Sequence, residues 1–426
     1  MSADVPGWYS AGYGHVWLPY TQMKTVTPPL PVVSTEGTRI RLADGRELID
    51  GIASWWTACH GYNHPHIRAA AEAQLAALPH VMFGGLVQEP ALRLAARLAD
   101  LLPGDLSRVF FSDSGSVSVE VAMKMAMQYF LNRGLHGRDK FLSFRHGYHG
   151  DTIGTMAVCD PDEGMHSLFT GLLPQHFVVD LPTDEEKAEG FDAFLDAHGE
   201  RIAAILVEPL VQGAGGMKMH GPEVLARLRR AADRIGALLI FDEIFVGFGR
   251  TGTMFACEAA DVVPDIVTLS KALTGGTMAL AATIATTRVF EAFWDDRATA
   301  ALMHGPTYMG NALACAVANA SLDLFETEPR LAQVSAIEGW LRAGLEPCRH
   351  LPGVVDVRVK GAIGVVQLDE IGDLNALKRA FVEAGVWVRP FGDIVYLTPA
   401  FVATEDEVAT LTGAIRKVLN QVSLRS

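Results

Sequence analysis

With 426 residues, 49% hydrophobic and 20% charged, the chain reads as a globular protein with one large and one smaller domain, not a disordered one. A formal net charge of -14 argues against nucleic acid or an anionic membrane as the main partner. The five cysteines (Cys59, Cys159, Cys257, Cys315, Cys348) never fall in CxxC spacing, and neither a signal peptide nor a run of about 18 apolar residues is visible. Reduced thiols in a cytoplasmic protein are therefore expected.

In chain order, the first part to about residue 65 is rich in Gly, Pro and aromatics. Its segment Gly37-Thr38-Arg39-Ile40-Arg41-Leu42 leads to a tight turn at Asp44-Gly45. Helical patterns follow at His66–Leu78 and Pro90–Leu101. Short apolar runs then recur at Arg108–Phe111, Phe141–Phe144, Ala203–Val207, Ala237–Phe241, Ile266–Leu269 and Ala281–Ala285. Runs of that length and apolarity predict strands buried on both faces of a mostly parallel sheet, with Pro222–Ile235 as one crossover helix. From about residue 319 a second α/β stretch is expected, with helices near Leu331–Leu345 and Leu374–Ala384 and strands near Val354–Val359 and Ile394–Leu397. The predicted organisation is an N-terminal segment (1–65) joining a C-terminal small domain (319–426), with a large domain over 66–318.

Open α/β sheets place ligands outside the carboxyl ends of their strands, so the residues after each run are the ones to inspect. Asp242-Glu243 follows Ala237–Phe241, and Ser270-Lys271 follows Ile266–Leu269, leading into the turn Leu273-Thr274-Gly275-Gly276. Ser112-Asp113-Ser114-Gly115-Ser116 follows Arg108–Phe111 and opens a helix whose Ala122, Met125, Ala126 and Tyr129 share one face. An amine, a carboxylate and a Ser/Gly-rich helix start at one sheet edge match the requirements of pyridoxal 5′-phosphate (PLP). Its aldehyde needs a lysine amine, its pyridine nitrogen a carboxylate, and its phosphate the N–H groups of a helix start.

Other motifs carry less. Gly247-Phe248-Gly249-Arg250-Thr251-Gly252 matches G-x-G-x-x-G, but Met254–Cys257, Ala259-Ala260-Asp261 and then Pro264 leave little room for the helix of a dinucleotide site. Asp242 after its strand resembles a Walker B carboxylate, yet no P-loop accompanies it. A nucleotide-binding ATPase or dehydrogenase is thus the alternative from another class. His60, His64 and His66 are interrupted by Pro65, and no metal site is expected there.

Leu239-Ile240-Phe241-Asp242-Glu243-Ile244, then Gly247–Gly252, then Leu269-Ser270-Lys271-Ala272-Leu273-Thr274-Gly275-Gly276 resemble the signature of the class III (ω-type) aminotransferases. Leu18–Met23, Ser54-Trp55-Trp56, His60–Pro65, His146–Thr152, His304–Asn311 and Val388–Phe391 extend the resemblance from about residue 15 to about 400. They point to the branch that aminates 8-amino-7-oxononanoate in biotin biosynthesis, with S-adenosyl-L-methionine as donor. Another ω-amine donor (a diamine, β-alanine or 4-aminobutyrate) is the alternative within the family. The resemblance implies a PLP-dependent transferase of fold type I, working as a homodimer with shared sites. Lys271 would be the catalytic lysine joined to the cofactor, with Asp242 on the ring nitrogen and Tyr148 stacked on the ring. Gly115 and Ser116 would hold the phosphate, joined by Pro306 and Thr307 from the neighbouring subunit. Arg389 would grip a substrate carboxylate, Tyr20, Trp55, Trp56, Tyr148 and Gly305 would line the substrate path, and Asp151, Glu208 and Arg250 would stand close by. Many relatives carry a second basic residue three positions after this arginine; here it is Gly392.

Overall fold

A computed structural model describes residues 5–162 and 166–423. Strand β1 (Leu106–Ser112), β2 (Lys140–Phe144), β3 (Phe177–Val179), β4 (Ile202–Val207), β5 (Leu238–Asp242), β6 (Ile266–Leu269) and β7 (Ala281–Thr286) form one sheet in the order β1-β7-β6-β5-β4-β2-β3. Strand β7 runs antiparallel to both its neighbours, whereas the β3-β2-β4-β5-β6 ladder is parallel throughout. The carboxyl ends of β1, β2, β4, β5 and β6 therefore share one edge.

Burial on both faces explains why β4, β5, β6 and β7 read as largely apolar runs. The helix Gly115–Asn132 lays Val119, Ala122, Ala126, Tyr129 and Phe130 into a cluster with Phe141 of β2, Leu206 of β4, Ile240 of β5 and Ile266 of β6. Each large apolar side chain among them contributes about 1.5–3 kcal/mol when removed from water. The helix Pro222–Ile235 starts on Pro222 and ends at Gly236, which takes φ 66°. Gly236 N–H then donates to Asp233 and Ala237 N–H to Ala232. That closure ties Ala237 to the helix end, so β5 begins at Leu238 and reaches Asp242, one residue later than the apolar run predicts. Strand β3 leaves no clear trace in the sequence because it has only three residues, all half-buried at the sheet edge.

The chain divides into two compact units, 66–331 and a second one formed by 1–65 with 332–426. The expected boundary at 319 lies inside the helix Ala312–Thr327, which stays with the large unit. Its Asn319 and Asp323 bond the Glu89–Leu101 helix through Pro90 and Arg97. The second unit carries a sheet ordered Val32–Glu36, Arg39–Leu42, Glu47–Asp50, Val386–Trp387, and another ordered Val354–Lys360, Ile363–Leu368, Ile394–Leu397. The predicted turn at Asp44-Gly45 joins two of these strands, with Gly45 at φ 88°.

Candidate active site

Asp242 ends β5 and faces Thr268 of β6 in register; Lys271 lies three residues beyond that partner, in the turn Lys271–Thr274. Sheet register thus brings the carboxylate and the amine to one edge. Lys271 takes φ 47°, a left-handed conformation that an L-residue holds at a cost of about 1–2 kcal/mol. The turn is fixed on either side by Ser270 Oγ, which donates to Leu280 O at 2.8 Å, and by Gly275 at φ 58°. Burial pulls the Lys271 amine down from 10.5 to about 8, against the opposing charges of Asp242 and Glu208; its Nζ stands 5.7 Å from the Phe245 ring centre.

Asp242 is 4% exposed and well supplied with donors. His149 Nδ1 donates to its Oδ2 at 2.8 Å, while Thr268 Oγ1 and the Ile244 amide reach Oδ1 at 3.2 Å each. His149 is the partner of Asp242 that the sequence does not announce, since its motif singles out only Tyr148 and Asp151. The signal lies in the adjacent histidine, but only the fold shows that it crosses to β5. Its own amide donates to Cys159 Sγ, and burial pushes that thiol up to about 12.

Glu208, just past β4, is also buried, and accepts the amides of Tyr148 at 3.0 Å and Gly213 at 2.9 Å. Burial raises its carboxyl from 4.5 to about 7; the His149 ring opposes the rise and Asp242 adds to it. Glu243, another buried glutamate, has a structural post: it accepts the amides of Ala256 and Cys257 at 2.8 Å each.

The Ser114 side chain caps the helix Gly115–Asn132 by accepting the Val117 amide. A helix start of this kind presents the N–H groups of its first turn, here those of Gly115 and Ser116, to an anion. Gly115 lies so close to Ile244 that a Cβ would meet its side chain at 3.1 Å. Ser116 Oγ accepts the Asp151 amide at 3.1 Å, and Asp151 Oδ1 pairs with His166 Nε2 at 3.0 Å. His166 in turn stacks on Tyr148, 6.0 Å between ring centres and 20° between planes. Asp151 therefore links the helix start to the tyrosine through one histidine. Gly305 and Thr307 are exposed and Pro306 half-buried on the loop before the helix Ala312–Thr327, which Asn311 caps. Arg250, in the Gly247–Gly252 segment, is 1% exposed. The Gly247–Gly252 segment is followed by the short 3-10 turn Ala256–Ala260, so the strand-loop-helix setting of a dinucleotide fingerprint is absent among the described residues.

Tyr20, Trp55, Trp56 and Arg389 belong to the other unit. Trp55 and Trp56 sit in a turn, Ala53–Trp56, whose four residues all have positive φ (46°, 47°, 57° and 72°). The Arg389 guanidinium lies over the Trp55 ring at 4.4 Å, Tyr20 meets Trp55 edge-on at 6.5 Å, and Trp56 is 6.1 Å from Tyr396. Burial draws the Arg389 pKa down from its usual value, opposed by Tyr396 and Tyr20. Gly392 takes φ 54° in the two-residue turn closed by reciprocal Phe391–Ile394 bonds. His66, the third member of the histidine cluster, pairs with Asp323 at 2.9 Å.

Residues 20–419 match the model of the family Aminotransferase class-III. The chain belongs to the class III aminotransferases. A Mycobacterium leprae relative named adenosylmethionine-8-amino-7-oxononanoate aminotransferase is 47% identical over 417 residues, 96% of this chain and 95% of its own. The crystal structure of the Methanocaldococcus jannaschii protein of the same name superposes with a TM-score of 0.92 at 31% identity, covering 97% of this chain and 98% of that one. An (S)-enantioselective ω-transaminase from Thermomicrobium roseum gives 0.90 at 30% identity, with 97% of each chain covered. Class III aminotransferases depend on PLP, and the donor set here suits that group: a lysine whose amine titrates near neutrality, a buried carboxylate held by hydrogen bonds, and a capped helix start with a glycine at its head.

Proposed function

We propose that this class III aminotransferase transfers an amino group from S-adenosyl-L-methionine to 8-amino-7-oxononanoate, giving 7,8-diaminononanoate in biotin biosynthesis. The reading is carried by the placement of Lys271 and Asp242 at the ends of adjacent parallel strands, in a chain 47% identical to a relative bearing that name. Lys271 would hold PLP by its aldehyde, Asp242 by its ring nitrogen, and Gly115 and Ser116 by its phosphate, with Tyr148 over the ring. When bound, PLP supplies an aldehyde that takes up an amino group and a pyridinium ring that draws electrons from the neighbouring carbon.

The remaining work falls to the protein. At pH 7.5 an amine of pKa about 8 is roughly one-quarter neutral, against about one part in a thousand at the ordinary 10.5. Within each half-reaction, Lys271 Nζ would therefore move a proton between the amine-bearing carbon of the substrate and the aldehyde carbon of the cofactor. Asp242, fixed by bonds from His149 and Thr268, would hold the ring nitrogen. Arg389 grips the carboxylate that both substrates carry, since a guanidinium fork matches that group. Tyr20, Trp55, Trp56 and Gly305 border the path of the aliphatic chain and of the sulfonium. The enzyme would work as a cytoplasmic homodimer in which the exposed Thr307 and the neighbouring Pro306 complete the phosphate site of the second subunit; the five buried free thiols suit a reducing compartment.

The likeness to an ω-transaminase favours one rival, a simple ω-amine as donor. Single-turnover absorbance of the cofactor with a panel of donors separates them. Adenosylmethionine should bleach the band of the lysine-bound cofactor. No change with it, together with bleaching by a simple ω-amino acid, would end the biotin assignment.

A further inference from the structure

The turn Ala53–Trp56 is left-handed through four successive residues, and none of them is a glycine, asparagine or aspartate. Such a run does not persist unless its surroundings dictate it. Two backbone bonds, Trp56 N–H to Ile52 O and Thr57 N–H to Ala53 O, close the turn at 2.9 Å each. The group that enforces it is Asp50, the last residue of the strand Glu47–Asp50 and 2% exposed. Its Oδ1 accepts the Ile52 amide at 2.9 Å, and its Oδ2 accepts the Ser54 amide at 2.8 Å and the Tyr62 hydroxyl at 2.6 Å. Ser54 Oγ and Tyr62 OH, 2.5 Å apart, complete the ring of bonds. From the other side, Gly51 O accepts the Thr398 amide at 2.7 Å and Ile52 O accepts Thr398 Oγ1 at 3.3 Å.

We propose that Asp50 is the positioning residue of the carboxylate grip: by holding Ala53–Trp56 left-handed it seats the Trp55 ring against the Arg389 guanidinium. The inference rests on the reading that Arg389 and Trp55 bind substrate, and adds the group that aims them. A carboxylate suits the task because only an acceptor with two free oxygens can serve two amides and a phenol at once. Burial pushes the Asp50 carboxyl up, and the bonds from Tyr62, Ile52 and Ser54 work against that rise. A right-handed or extended Ser54 would carry both indoles elsewhere, because φ at four consecutive residues sets the direction of each side chain.

The test uses the PLP-loaded enzyme and three variants. Asp50→Asn keeps the shape and leaves one oxygen as acceptor. Tyr62→Phe removes only the phenol bond. Asp50→Asn with Ser54→Gly gives the exposed second residue of the turn a conformation that glycine adopts freely. Steady-state KM and kcat are measured with the keto acid acceptor, alongside the half-reaction rate with a primary amine that lacks a carboxylate. Asp50→Asn is expected to raise the acceptor KM about tenfold, equivalent to one lost charge-assisted bond, and to leave kcat and the carboxylate-free amine within about twofold. Tyr62→Phe should raise KM about threefold, and the added Ser54→Gly should recover most of the loss. Equal losses with both kinds of substrate, an unchanged KM, or no recovery with glycine each overturn the inference. Arg389→Lys and Trp55→Ala run in parallel. If they raise KM and Asp50→Asn does not, the positioning role alone is lost; if neither raises it, the grip itself is wrong and the inference goes with it. Should Asp50→Asn fail to fold, Tyr62→Phe carries the same comparison, and an unchanged KM there overturns the proposal.

Discussion

Glu208→Gln is the most informative single change at the cofactor edge. The Glu208 carboxyl titrates at about 7 in the folded protein against 4.5 when unfolded, chiefly because burial penalises its charge. A raised carboxyl pKa contributes stability in the protonated form, fully present below the unfolded pKa and lost as pH rises through the folded one. A rise from 4.5 to about 7, integrated between about pH 5 and about pH 9, removes about 2.5 kcal/mol. Glutamine escapes that loss because it never ionises. It fails in one respect: Glu208 accepts two amides, from Tyr148 and Gly213, and the glutamine nitrogen can accept neither. One stranded N–H costs about 1–3 kcal/mol at every pH. The variant should thus be less stable than the parent at about pH 5 and draw level or overtake it at about pH 9, in urea denaturation of the cofactor-free protein. The same change removes a negative charge that holds the Lys271 amine up, so the pH midpoint for cofactor attachment should move down. A stability difference that stays flat across that range would refute the raised pKa, and with it the view of Glu208 as a neutral group beside Lys271 at mildly acid pH.

Three further outcomes are expected. Lys271→Ala should abolish turnover while the protein stays folded, and borohydride reduction followed by peptide mapping should place the pyridoxyl group on Lys271 in the parent and nowhere in the variant. His149→Phe should lower kcat about 10–100-fold by withdrawing a bond from the Asp242 carboxylate, with KM little changed, as steady-state kinetics would register. Gly150→Ala should weaken cofactor retention, measured by dialysis and absorbance. A Cβ there would come within 2.8 Å of the Ser116 Cα at a φ of 130°, and the helix start must shift to admit it.

How much of this is legible in the sequence depends on the neighbours each residue has. Lys271 and Asp242 can be read because they follow unbroken apolar runs, and a strand buried on both faces writes itself that way. Glu208 follows from the same rule. His149 does not, since its partner lies 93 positions further on and only the β2–β5 arrangement brings them together. The boundary at 319 misreads a continuous helix, because the alanine-rich stretch Ala312–Thr327 shows no break at its centre. The burial of Arg250 is not legible in its glycine-rich segment, because burial is a property of the groups that pack over a loop and the loop's own composition is silent on that. The left-handed turn at Ala53–Trp56 carries none of the residue types that announce positive φ, so its geometry belongs to Asp50 and Tyr62.

Backbone strain and proposed function coincide in this chain more closely than composition would suggest. Tyr20, Trp55, Trp56 and Lys271 all adopt positive φ, although none is a residue type that visits that region readily. At about 1–2 kcal/mol each, these conformations would relax if left to themselves. Around Lys271 and the indoles, the holding groups have nothing to do in the chemistry: Ser270 and Gly275 for the lysine, Asp50 and Thr398 for Trp55 and Trp56. Stability is thereby surrendered at the positions where a side chain must be aimed, and recovered in the buried central strands of the sheet. Relieving the strain with glycine, at Ser54 alone, should accordingly leave the fold intact and the aim of Trp55 unchanged while Asp50 still holds the turn. A drop in stability beyond the loss of the Ser54 Oγ–Tyr62 bond, about 0.5–1.5 kcal/mol, read from urea denaturation, would refute the strain at Ser54.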